Sequence, residues 1–221
     1  MNKTINSYSK NSLFERMILM IDFDIITILI STIILFIFIY IIKTKTEKNN
    51  MYILFFSIFY IYMIFVLKYT IFPIPVDNEY LNIIRQDSRF LNNINLIPFN
   101  FGLMDTLSYE QILLNILLTI PFGFGISFIT KITKKKIIFL GISIGLIIEG
   151  LQLLIGLIVN YAYRYVDIND IIMNFIGTII GYLLFILFSN IFTKIINNKD
   201  IELNNFLKYI YNVCESKKEE A

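Results

Sequence analysis

The chain has 221 residues, 57% hydrophobic and only 16% charged, with a mean hydropathy of +0.69. A soluble domain carries about 25% charged residues, so a soluble globular fold is excluded. A net charge of +2 excludes a strongly basic nucleic-acid binder, and the absence of His excludes imidazole triads, metal sites and proton relays.

Residues 1–24 read as an amphipathic, extracytoplasmic tail, with Asp22 and Asp24 interrupting a lead-in that starts at Met17. They lack the basic start, short apolar core and small-residue cleavage site of a signal peptide, so the first apolar run is expected to remain in the mature protein. Apolar runs follow at 25–42, 51–67, 112–129, 137–159 and 171–188, the last extending toward 192. Each reaches the roughly 17 residues needed to cross the hydrocarbon core. The expected fold is all-α: a polytopic membrane helical bundle of about five transmembrane helices with an outward-facing polar pocket. The membrane domain spans 25–192, followed by a cytoplasmic tail at 193–221.

Charge assigns the sides. Segments 43–50, 130–136 and 193–221 hold 12 of the 19 basic residues, which places them in the cytoplasm by the positive-inside rule. Lys3, Lys10 and Arg16 of the N-terminal tail oppose that assignment. The loop at 68–111 then faces outward and is too long for a simple connector. Its apolar stretches, 72–76 and 96–101, read as re-entrant or interfacial pieces. In the tail, Leu203, Phe206, Leu207, Ile210 and Val213 recur at helical spacing. Two readings fit: an interfacial helix on the inner surface, or a helix packing on itself or a neighbour. The single cysteine, Cys214, has no partner for an intrachain disulfide or a thiolate metal site.

Three helices carry polar stripes. Gly141, Gly145, Glu149, Gln152 and Gly156 share one face of the fourth; Asp167, Asp170, Asn174, Gly177 and Gly181 share one face of the fifth; Gln111, Asn115, Thr119 and Gly123 share one face of the third. The glycines permit close helix approach, and Pro121 predicts a kink. The simplest packing turns the three faces together. Counting from the ends of the apolar runs puts Asn115 and Asn174 about 5 Å below the outer boundary, Gln152 roughly 10 Å and Glu149 roughly 15 Å down.

A carboxylate at mid-span costs on the order of 2.5–3.5 kcal/mol, so Glu149 is either functional or paired, with Arg164 the nearest cation in sequence. Asn115 and Asn174 serve equally well as interhelical hydrogen-bonding groups. Tyr161, Tyr163 and Tyr165 mark an interface belt. Asp167 and Asp170 read either as helix caps or as orienting groups beside Arg164, which would bind an anionic headgroup. Their oxygens also suit a divalent cation, but the signal is weak: no metal site and no cofactor are assigned.

In order along the chain, Asn95-Leu96-Ile97-Pro98-Phe99, Asn115, Pro121-Phe122-Gly123, Glu149-x-x-Gln152 and Arg164-x-x-Asp167-x-x-Asp170-x-x-x-Asn174-x-x-Gly177 resemble the VanZ-like family of bacterial membrane proteins. The resemblance covers roughly 65–190. It implies a multi-span protein of the bacterial plasma membrane and, from the founding member, low-level resistance to the lipoglycopeptide teicoplanin without marked vancomycin resistance. Ligand-binding candidates are Asn95, Pro98, Asn115, Glu149, Gln152, Arg164, Asp167, Asp170 and Asn174; catalytic candidates are Glu149, Arg164, Asp167 and Asp170. Gly123, Gly141, Gly145, Gly177 and Gly181 are packing positions. The expected partners are membrane lipids, lipid-linked envelope molecules or a lipoglycopeptide. The leading reading is action on such an amphiphile at the outer face. Its rivals are an enzyme that modifies a lipid or cell-wall precursor headgroup, a small carrier that uses Glu149, and a purely structural accessory subunit.

Overall fold

The five apolar runs fold as five long helices in a computed structural model that describes residues 20–77, 81–82, 94–100, 106–161, 163–199 and 202–218. These are α1 (Ile25–Lys45), α2 (Asn50–Ile71), α3 (Thr106–Gly125), α4 (Lys134–Val159) and α5 (Ile168–Lys199). A 3-10 turn, Ile126–Phe128, continues α3, and α6 (Asn205–Lys218) follows α5. The fold is a polytopic membrane helical bundle. Residues 17–19 of the expected lead-in and most of the loop between 78 and 105 lie outside the described residues.

Helix ends are set by side chains that satisfy backbone groups the helix leaves unpaired. Asp24 accepts from the Thr27 N–H at 3.0 Å, Asn49 from Tyr52 at 2.9 Å, and Thr133 from Lys136 at 3.3 Å. Helix α4 stops at Asn160, which turns left-handed at φ 48° and returns its N–H to Gly156 and Leu157. Two helices outrun the apolar stretches that revealed them. Helix α3 starts at Thr106, before the run at 112, and α5 continues to Lys199, past 192. Hydropathy marks only the part of a helix that meets lipid, and Ser108, Glu110, Gln111, Asn190 and Asn197 lie on turns beyond it.

Helix α5 is the central element. Parallel to α3, it lays Gly177 against the Ile116 carbonyl and Gly181 against the Ile120 carbonyl, while Gly123 of α3 meets the Thr178 carbonyl. A Cβ at any of these positions would overlap backbone, so the helices approach closely because no side chain separates them. Antiparallel to it, α4 brings Gly141 to Phe175 and Thr178, and Gly145 to Ile171. Helix α2 joins through Val66, which packs with Phe122, Ile144 and Ile148.

Helix α1 is peripheral. None of its residues is buried, and it holds to α2 through Tyr60 Oη donating to the Ser31 carbonyl at 2.8 Å and an edge contact between Phe38 and Phe56. Just before it, Met20–Ile21 (β1) pairs antiparallel with Ile74–Pro75 (β2). The tail helix α6 packs on α2. Phe55 of α2 stacks on Phe206 and Tyr209 of α6, Tyr209 Oη donates to the Phe128 carbonyl at 2.6 Å, and Cys214 is fully buried.

Candidate functional site

The segment that returns from α4 to α5 builds the site. Within it, Val166–Asp167 (β4) pairs in parallel with Ile94–Asn95 (β3), setting Asn95 opposite Asp167. Asn95 Nδ2 donates to Asp167 Oδ1 at 3.1 Å and to the Asn100 carbonyl at 2.8 Å. Asp167 Oδ1 also accepts the Asn169 N–H at 2.8 Å, the geometry of a side chain capping α5. The backbone N–H of Asp167 itself points the other way, to Glu149 Oε2 at 3.0 Å.

Asn95, Pro98 and the residues between them form a locked turn. Asn95 Oδ1 accepts from the Ile97 N–H at 3.2 Å, and the Asn100 N–H reaches the Ile97 carbonyl at 3.3 Å. Pro98 and Phe99 are the central residues, and Phe99 takes φ 60°, as position three of a type II turn requires. Phenylalanine is rarely found there. Asn169 holds it: its Oδ1 accepts the Phe99 N–H at 2.6 Å while its Nδ2 donates to Asn100 at 3.1 Å. The turn leaves Leu96, Ile97 and Phe99 exposed, each by about two thirds (68%, 64% and 69%).

The polar faces of α3, α4 and α5 meet beneath this turn. Asn115 lies beside Asp170, Thr119 Oγ1 donates to the Asn174 carbonyl at 2.8 Å, and Glu149, 4% exposed, faces both Asp167 and Asp170. The depth order differs from the count along the apolar runs. Glu149 lies level with Asp167 at the very start of α5, and Asn174, two turns further on, is deeper. The reason is that Asp167 returns to the level of Glu149, so α5 begins about 15 Å short of the α4 end.

Arg164 and Glu149 have separate partners. Arg164 Nη2 donates to the Phe72 carbonyl at 2.9 Å, and Gln152 Nε2 to the Thr70 carbonyl at 3.0 Å. Both therefore grip the last turn of α2, where a cation suits the negative end of the helix dipole. Burial pushes the neighbouring Tyr163 phenol up, and the Arg164 charge pulls it partly back. The oxygen of Gln152 and both polar atoms of Asn174 are buried without a hydrogen-bond partner.

Asn169 is the residue that sequence reasoning missed. It is 1% exposed and ties the Phe99–Asn100 turn to Asp167, yet it stands off the Asp167–Asp170–Asn174 stripe. Its position between two acids at a helix start was the available signal. The Thr70, Phe72 and Asn100 carbonyls are backbone acceptors and leave no mark on residue choice. Asp167 faces Asn95 and Asp170 faces Asn115, and among the described residues no group of three or more His, Cys, Asp or Glu is placed to hold a metal ion.

Chemically, the site combines three carboxylates, buried amides and an apolar turn. Such carboxylates bind protons or cationic groups and accept hydrogen bonds from hydroxyls. The VanZ/LLP1 family model matches residues 59–189, a stretch that contains every one of these side chains and omits α1 and α6. Comparison with curated proteins and with solved structures gave no match.

Proposed function

The chain belongs to the VanZ/LLP1 family, and on that premise we propose that it acts at the outer face of a bacterial plasma membrane on a lipid-linked or amphiphilic envelope molecule, lowering the action of lipoglycopeptides such as teicoplanin. The observation that carries the reading is the pairing of an exposed apolar turn, Leu96–Phe99, with the Glu149, Asp167 and Asp170 carboxylates directly beneath it. An amphiphile needs both surfaces: the turn for its acyl part, the carboxylates for hydroxyl or amine groups of its head. The lysine-rich segments at 43–48 and 131–136 support an inward position for the opposite end of the bundle.

Teicoplanin carries an acyl chain and vancomycin does not, so a lipid-level action discriminates between them. The test is susceptibility to both drugs in a sensitive Gram-positive host expressing wild type, Glu149→Gln or Arg164→Ala at matched membrane levels. The expected result is protection against teicoplanin alone, lost in both variants. Equal protection against both drugs, or none from well-expressed wild type, overturns the reading. The enzyme alternative, with Glu149 as general acid or base and Arg164 as the headgroup ligand, is less favoured because Arg164 is turned to the Phe72 carbonyl. A changed envelope-lipid profile on expression would reinstate it.

A further inference from the structure

The hydrogen bonds around Glu149 and Asp167 leave acceptors over. Glu149 takes the Asp167 N–H at 3.0 Å on Oε2, and Asp167 takes Asn95 Nδ2 at 3.1 Å and the Asn169 N–H at 2.8 Å, both on Oδ1. Among the described residues no donor is bonded to Glu149 Oε1 or Asp167 Oδ2. One turn below Asp170 on the same stripe, Asn174 is 0% exposed, and neither its Oδ1 nor its Nδ2 has a partner. Helix side chains lean toward the N-terminus, which aims this amide at Asp170. An unpaired buried amide in a native fold calls for a ligand or water.

The fold brings no cation to these acceptors. The charges that bear on Glu149 are those of Asp170 and Asp167, and the charge that bears on Asp170 is that of Asp167. Arg164, the cation expected to face a headgroup, spends Nη2 on the Phe72 carbonyl at 2.9 Å. Its departure reverses the sign of the site. Buried carboxylates must be paired or neutralised. Asn115, Asp167 and Asp170 are half-buried, so the group reaches the protein surface and a counter-charge can enter from outside.

We infer that the ligand of this site presents an ammonium group to Glu149, Asp167 and Asp170, with Asn174 Oδ1 as a further acceptor. The inference rests on the outer-face reading above and narrows its ligand to a cationic head, supplied by an amine lipid or by a free amine. An ammonium brings three N–H donors and the missing charge together. The full chain, purified and delipidated, would be titrated with phosphatidylethanolamine, with its N-acetyl derivative, which keeps the acyl chains and phosphate but lacks the ammonium, and with phosphatidylglycerol. Adducts are counted by native mass spectrometry. Wild type is expected to bind phosphatidylethanolamine about tenfold or more tighter than the other two. Glu149→Gln and Asp170→Asn each remove most of that preference, and Asn174→Ala, which alters no charge, weakens phosphatidylethanolamine binding severalfold. Glu202→Gln, equal in charge loss but beyond α5, leaves the preference unchanged. Lipid that ethanolamine does not displace identifies a headgroup site; displacement, or ethanolamine binding alone, identifies a free-amine site. Equal binding of the three lipids, or a preference that survives both carboxylate variants, overturns the inference while the outer-face reading stands. Binding of no probe overturns both.

Discussion

Glu149 of α4 and Asp167, the residue before α5, are joined by a 3.0 Å hydrogen bond from the Asp167 N–H to Glu149 Oε2. A side chain in the middle of one membrane helix thereby closes the start of the next. Glu149→Gln keeps an acceptor oxygen in place, so it is expected to leave the thermal midpoint in detergent nearly unchanged. Glu149→Leu strands the Asp167 N–H and is expected to destabilise by about 1–3 kcal/mol. That contrast makes Glu149→Gln the proper variant for testing function, because loss of activity there reports on charge and not on folding.

The α3–α5 seam makes a second prediction. At Gly177 and Gly181 a methyl group would overlap the Ile116 and Ile120 carbonyls, whereas at Gly150 nothing lies within 4 Å. Backbone cannot move aside as a flexible side chain does. Gly177→Ala and Gly181→Ala should each cost about 1–3 kcal/mol, seen as a lower midpoint and reduced membrane yield. Gly150→Ala, on an exposed face of α4, should stabilise by up to about 1 kcal/mol.

Arg164 ties the α4–α5 return to the end of α2 through the Phe72 carbonyl at 2.9 Å. Its removal should loosen that return without unfolding the bundle. In Arg164→Ala, amide exchange across 163–167 is expected to rise several-fold while exchange in α4 between Ile137 and Ile148 stays as in wild type. Equal exchange in both regions would show that Phe72 is not what anchors the segment.

Asp24 provides a pH-dependent contact. Its carboxylate accepts the Thr27 N–H at 3.0 Å, and that hydrogen bond holds its pKa below the usual carboxylate value. A depressed pKa means the cap contributes above the unfolded value and is lost as pH falls through the folded one. Protection of the Thr27 amide should therefore decline on acidification in wild type. Asp24→Asn, which keeps an acceptor without a titrating charge, should show no such decline relative to its own value at neutral pH.

The parts of this architecture that depend on side-chain spacing were readable in the sequence. Gly141, Gly145, Glu149, Gln152 and Gly156 recur at one face of a helix, and all five are buried. What spacing does not encode is how far one helix slides past another. The placement of Glu149 beside Asp167 depends on backbone partners of Arg164, Val166 and Asp167: the β3–β4 pairing, and the carbonyl that receives Arg164. The same limit hid Asn169, whose importance comes from the distant Phe99 and Asn100 backbone and not from any periodicity. Hydropathy likewise could place α6 as amphipathic but not name its partner, because the Phe55 ring it stacks on lies at the far end of α2.

The seating of α6 is open to direct measurement because the chain has one cysteine. Cys214 is fully buried against Phe128, Phe185 and Ile210, and its carbonyl accepts from Ser189 Oγ at 3.2 Å. A maleimide can reach the thiol only when α6 lifts from the bundle, so the labelling rate measures that opening. Phe55→Ala removes three stacked ring contacts, to Phe128, Phe206 and Tyr209, each worth about 0.5–1.5 kcal/mol beyond its buried area. Labelling in the folded protein should then accelerate by at least tenfold. Tyr209→Phe, which keeps the ring and drops only the hydrogen bond to the Phe128 carbonyl, should accelerate it less. If both variants label at the wild-type rate, α6 is held by contacts other than this aromatic stack.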